Sequence, residues 1–288
     1  MRRLLPAAVA AIVLLAVGLA NLDLLSGRAT PSFRDLATTQ RPAHALAASL
    51  GDAALNPHAS FGQTFRGNPN LVLAYPFPAA PRWLGIHLLL HAALGGLGFL
   101  LFLRLLGRSP EAALAGSLAF SFSGFALSCT AFLNSATTLA WVPWLLASVA
   151  AARLEGRHAF RLALLGSAAS GALLAHAGEP ALGLIGILLA LAVALFGPHG
   201  TRRRATGALV GGGVLALLAS APFLLDVLRA TEASARRLRG FSWTEFSAVG
   251  FHPLRLLETP FPFLFGDPSR VLSGAYWGFA ASQGTRPY

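Results

Sequence analysis

Two carboxylates have surroundings that could turn them to chemistry, Asp35 and Glu179. Asp35 stands in Phe33-Arg34-Asp35-Leu36, a little beyond the first apolar run, in a stretch able to lie along a membrane surface. In a partly desolvated cavity it could act as a general base or ligate a divalent metal. A solvated loop aspartate or a helix cap would have the same sequence. Glu179 falls in His176-Ala177-Gly178-Glu179-Pro180, a tight turn between two apolar runs, with His176 close enough in sequence to hydrogen-bond it. Ionisable groups at membrane depth usually serve function, although a turn at the interface hydrates its charge cheaply. His87 and His91 are four residues apart and share a helix face. That spacing suits a metal pair, but the glutamate of the HExxH zinc motif is missing, and two polar residues facing the bundle interior or a watery cavity explain it equally well.

The remaining polar groups carry less. Asp23 and Asp226 read as end residues of apolar runs, and Arg236, Arg237 and Arg239 as a cluster that meets an anionic head group or water. Cys129 is the single cysteine, so no internal disulfide exists, and its neighbours Ser128 and Thr130 suit a small buried residue. No glycine-rich phosphate loop, Ser/His/Asp elbow or Cys/His metal pattern is present. A cytosolic nucleotide enzyme is disfavoured.

What must position these residues is mostly apolar. Hydrophobic residues make up 55% of the 288 and charged residues 11%, where a soluble domain carries about 25% charged. The mean hydropathy is +0.62, and several runs approach the ~20 residues needed to cross a bilayer. The expected fold is an all-α polytopic membrane protein with seven spans, near residues 4–25, 83–106, 110–132, 137–152, 160–175, 181–196 and 205–228. Residues 26–82 form a long first loop outside the cell, and residues 229–288 an outer tail. Trp83 anchors the second span at the interface, Ser109-Pro110-Glu111 starts the third, and Pro143 should kink the fourth. Asn134-Ser135 is expected to be a tight turn, and Gly211-Gly212-Gly213 to allow close helix packing in lipid. The first run, after Met1-Arg2-Arg3, reads as an uncleaved helix, with a signal peptide ending near Ala20 as the alternative.

Arginine placement orients the spans. All 22 basic residues are arginine, and ten fall on the presumed inner side: Arg2, Arg3, Arg104, Arg108, Arg153, Arg157, Arg161, Arg202, Arg203 and Arg204. The short outer turns at Asn134 and Glu179 hold none, and the other twelve lie in the long loop and tail, where the positive-inside rule has little force. The N-terminus is therefore expected in the cytoplasm. Because arginines sit at the ends of apolar runs rather than on one patch, the net charge of +11 does not indicate nucleic-acid binding.

Taken in order, a set of short pieces resembles the YfhO family of bacterial membrane proteins, related to the C-type glycosyltransferases. They are Phe33-Arg34-Asp35-Leu36, Asn56-Pro57, Gly62, Gly67-Asn68-Pro69, Tyr75-Pro76 and His91 with Gly95 to Gly98. Then come Phe122-Ser123-Gly124, Trp141-Val142-Pro143-Trp144, Gly178-Glu179-Pro180, His252-Pro253-Leu254, Phe265-Gly266-Asp267-Pro268 and Tyr276-Trp277-Gly278. The family usually has Pro and Trp where this chain has Ala54 and Leu55, and its members are longer. The chain thus reads as the N-terminal piece of such a protein, with a tail that stops mid-loop.

The resemblance implies a transferase of the bacterial inner membrane. It would pass a sugar from a polyprenyl-phosphate carrier to a cell-envelope acceptor on the outer face. Asp35 matches the family's essential loop acid and would orient the acceptor hydroxyl or hold a metal at the donor phosphate. Glu179 would line the same cavity, Arg34 and Arg255 would hold the phosphate, and His58, His91 and His252 would contact substrate. A non-enzymatic transporter, flippase-like or envelope-assembly protein is the competing class. The clustering of acids at the outer ends, rather than along a path through the bilayer, favours the transferase.

Overall fold

A long apolar run has few ways to satisfy its backbone N–H and C=O groups without water, and a helix does so within one segment. The structure, a computed structural model, obeys that rule. It describes residues 4–26, 28, 55–56, 63–64, 81–130, 132–232 and 240. The chain divides into two compact units, residues 1–230 and 231–288, and the helical bundle makes up the first.

Its helices are α1 (Leu4–Ala20) and α2 (Leu22–Leu25), then α3 (Pro81–Leu105), α4 (Pro110–Ser121) and α5 (Gly124–Cys129). After these come α6 (Leu133–Ala151), α7 (Arg157–His176), α8 (Pro180–Leu195) and α9 (Arg202–Glu232), the last entered through a 3-10 turn at His199–Thr201. In the first loop, β1 (Leu55–Asn56) and β2 (Gln63–Thr64) pair antiparallel, Leu55 opposite Thr64. Three segments are long and apolar enough to cross a membrane: Leu84–Leu105, Arg157–His176 and His199–Glu232. Ala7–Ala20 and Pro180–Leu195 are apolar but shorter.

α6 is the hub. It packs against α3, α5, α7 and α8, and fourteen of its nineteen residues are buried. Around it the usual soluble pattern is inverted. α8 buries Gly183, Gly186, Ala190 and Ala194 and exposes Leu184, Ile185, Ile187 and Leu188. α9 buries Ala205, Ala208, Gly212 and Ala216 and exposes Val214, Leu217 and Leu218. Small residues inside let helix backbones approach, and large apolar residues outside suit lipid. In water such faces would associate.

Contacts between helices fix their directions. His87 meets Thr137, and Trp144 Nε1 donates to Leu94 O at 3.0 Å, so α3 and α6 run the same way. Asn134 lies by Glu179 and Val142 by Gly186, so α8 runs with them. In α1, Val13 lies by Gly96, while Leu24 in α2 lies by Gly85, an antiparallel approach to α3. Ser148 lies by Gly166, which sets α7 antiparallel to α6, and α9 packs along α7 through Gly171–Ala216 and His176–Phe223. Arginines 104, 153, 157 and 202 thereby gather at one end of the bundle, with Asn134 and Glu179 at the other.

Three expectations from the sequence need correction. Residues 110–132 are not one helix: Ser123 starts a new one, its Oγ accepting from Ala126 N at 3.1 Å and donating to Phe120 O at 2.9 Å. Those bonds compete with continued helix. Asn134-Ser135 is no turn, because α6 begins at Leu133 and carries both residues in its first turn. The first run is divided at Asn21, whose Nδ2 donates to Val17 O at 2.9 Å. By contrast α4 starts at Ser109-Pro110-Glu111 as the sequence predicts, with Ser109 Oγ accepting from Ala112 N at 3.2 Å, and α6 continues as one helix through buried Pro143.

Candidate functional site

The polar residues of α6 are concentrated in its first turns, where a buried helix must find partners for them. Asn134 and Ser135 reach toward the α7–α8 turn. Asn134 Nδ2 donates to Gly178 O at 3.3 Å and to Glu179 Oε2 at 3.2 Å, and Ser135 Oγ donates to the same Oε2 at 3.4 Å. Gly178 makes this turn possible, since its φ of +84° is strained for residues with a side chain. Pro180 then opens α8 at a position needing no N–H donor. Glu179 is thus half-buried and held by one oxygen, while Oε1 takes no hydrogen bond among the described residues.

His176 does not join this carboxylate, contrary to the reading of the sequence. Its ring packs on Phe223 of α9 at 4.7 Å between centroids, and its Nδ1 is buried without a hydrogen bond. The turn directs the glutamate toward α6 and leaves the histidine on the side of α9.

One turn deeper, α3 and α6 share a second polar group. His87 is fully buried, and its Nε2 lies 3.1 Å from Thr137 Oγ1, which itself donates to Leu133 O at 2.8 Å. His91 Nδ1 lies 2.9 Å from His87 O, the two rings are 4.0 Å apart, and Trp141 meets His91 edge-on. Of the alternatives the sequence left open, the i, i+4 pair therefore faces the bundle interior, packed between α3 and α6. Thr138 Oγ1 and Trp141 Nε1 are buried beside it with no hydrogen bond. Among the described residues no three His, Cys, Asp or Glu side chains group as a metal site.

Thr137→Val keeps the shape of the side chain and removes the hydroxyl that meets His87. Leaving a buried polar group short of a partner costs about 1–3 kcal/mol. A lowered thermal unfolding midpoint in detergent is the expected result; a midpoint equal to wild type would show that His87 is satisfied without Thr137.

Of the residues singled out in the sequence, Glu179 and His91 both lie against the first half of α6, Glu179 at Asn134 and His91 at Trp141. Asp35, Arg34, His58, His252 and Arg255 lie outside the described residues. Asn134, Ser135 and Thr137 were not legible as site residues. Their signal was polar residues recurring with helical spacing at 134, 137–138 and 141 ahead of an apolar run. Comparison of the chain with protein-family models, curated proteins and solved structures finds no match.

Proposed function

We propose that the chain is a seven-span bacterial inner-membrane protein of YfhO-like type, with its N-terminus in the cytoplasm. In this reading it transfers a sugar from a polyprenyl-phosphate carrier to an envelope acceptor at the outer face. The observation that carries it is the clamp on Glu179: Asn134 and Ser135 hold one carboxylate oxygen at the end of the bundle opposite the arginines. A carboxylate whose second oxygen stays open can accept a hydroxyl proton or orient an acceptor sugar. The ordered family-like pieces supply the substrate class, and Asp35 supplies the second acid. Any divalent metal at the phosphate would be held by Asp35 and its neighbours rather than by the described helices.

The transporter or assembly reading draws on His87, His91, Thr137 and Trp141, a polar group inside the bundle. Supplying labelled polyprenyl-phosphate sugar to sealed vesicles of known orientation separates the two. Product formed only when donor reaches the outer face supports transfer. Movement of label across the membrane without any new glycosidic bond would support transport instead.

A further inference from the structure

The end of the bundle away from Glu179 carries Arg104, Arg108, Arg153, Arg157, Arg161, Arg202, Arg203 and Arg204, against only Glu111 and Glu155. Among the described residues none of these arginines forms an ion pair; the pair that does form joins Arg229 to Asp226 at the other end. Three of them turn back onto the protein. Arg153 Nη2 donates to Val193 O, Arg202 Nε donates to Gly197 O at 2.9 Å, and Arg204 Nη2 donates to Gly156 O at 2.6 Å.

Capping explains part of this, because cations near the last carbonyls of α6 and α8 complement the helix dipole. It does not explain the convergence. Arg153 and Arg202 both close on one buried glycine, Gly197, where a Cβ would sit 2.7 Å from Arg153 Nη2. Each guanidinium has five N–H groups, and the bonds named above use one on each. Arg153 Nε is buried with no partner. Two cations beside one glycine, with donors to spare and no carboxylate on them, call for an anion that accepts several hydrogen bonds. A phosphate does so, and arginine's planar fork matches it.

The surroundings indicate where that phosphate comes from. Next to Gly197, Phe196 is 85% exposed, Leu195 is 45% exposed, and Leu154 beside Arg153 is 50% exposed. A free phosphate has no use for apolar side chains at this level, whereas a phospholipid places its acyl chains there. We propose that Arg153 and Arg202 form a binding site for the phosphate of an anionic phospholipid in the cytoplasmic leaflet. The site rests on the membrane reading and not on sugar transfer.

The test uses the chain purified in mild detergent, with native mass spectrometry for affinity and thermal unfolding for stability. The probes are phosphatidylglycerol, phosphatidylcholine and inorganic phosphate. Phosphatidylglycerol should bind and raise the unfolding midpoint beyond phosphatidylcholine, and phosphate at equal concentration should do neither. R153Q/R202Q should weaken phosphatidylglycerol binding about fivefold for each arginine removed. R161Q/R203Q, matched in charge and drawn from exposed arginines, should weaken it less than twofold, about the effect of a partly screened surface charge. If the glutamine pair fails to fold, R153K/R202K keeps the charge and loses the fork, and should still bind phosphatidylglycerol more weakly than wild type. Equal binding of the two lipids, equal losses in the two glutamine variants, or wild-type binding by the lysine pair each overturns the site. A shift produced by phosphate alone overturns the lipid as its source. If neither lipid binds or stabilises the chain, the membrane reading itself fails.

Discussion

Gly212→Ala lowers stability by about 1–3 kcal/mol, the usual cost of forcing a methyl group into a packed interface, while Gly213→Ala leaves it unchanged or slightly higher. The two glycines are neighbours in α9 and differ only in what they face. A Cβ at Gly212 would lie 2.5 Å from Ser167 Cβ and 3.0 Å from both Ala168 N and Leu164 O. Two of those three atoms belong to the backbone of α7 and cannot rotate aside, so the helices must separate. Separation would also open the approach of Gly171 to Ala216, where a Cβ would sit 2.9 Å from its neighbour. At Gly213 no described residue lies within 4 Å of such a Cβ, and alanine gains at most the ~1 kcal/mol by which it favours helix over glycine. Gly211 falls between them, since its only close neighbour among the described residues is the flexible end of Leu164 at 2.9 Å. Gly212→Leu should leave no monodisperse protein in detergent. Unfolding midpoints read across the three alanine variants decide the point: if Gly211, Gly212 and Gly213 respond alike, α7 and α9 do not meet through this face.

That series also marks the limit of what sequence carries. Gly211-Gly212-Gly213 announces a close helix approach, but not which glycine makes it, because that depends on the rotation of α9 against α7. Helix positions were easier. The apolar runs placed α3, α7, α8 and α9 close to their observed positions, since in a run of this composition hydrogen bonding and apolar surface agree. The interruption at Ser123 was harder, because the residues around it, Phe122 and Phe125, are as apolar as any span interior. One serine hydroxyl satisfying backbone groups on both sides outweighed that local hydropathy. α6 presents the opposite case. Asn134 and Ser135 make its start look like a turn, yet their polarity reflects packing among helices instead of exposure to water. Glu179 was legible as an unusual acid in a turn between two apolar runs. Its partners were not, because they come from a helix more than forty residues earlier.

If the chain transfers sugar as proposed, Glu179→Gln is expected to cut that transfer by about 10²-fold or more, the scale of a lost general base, with little change in fold. The substitution is nearly isosteric, and a glutamine can turn its carbonyl oxygen toward Asn134 Nδ2 and Ser135 Oγ and keep both hydrogen bonds. What it loses is the negative charge and the charge-assisted part of those bonds, about 1 kcal/mol of stability. Asn134→Leu acts on the clamp instead. It removes donors to Glu179 Oε2 and to Gly178 O, so the turn loosens and stability and transfer fall together. Asp35→Asn should reduce transfer at least as much as Glu179→Gln, and the double variant distinguishes one site from two. Acids serving the same step are strongly non-additive, so D35N/E179Q would be scarcely worse than the weaker single variant. Losses that multiply would instead assign the two acids to separate sites. Full transfer by E179Q would leave the Asn134–Ser135–Glu179 clamp as a purely structural tie between α6 and the α7–α8 turn.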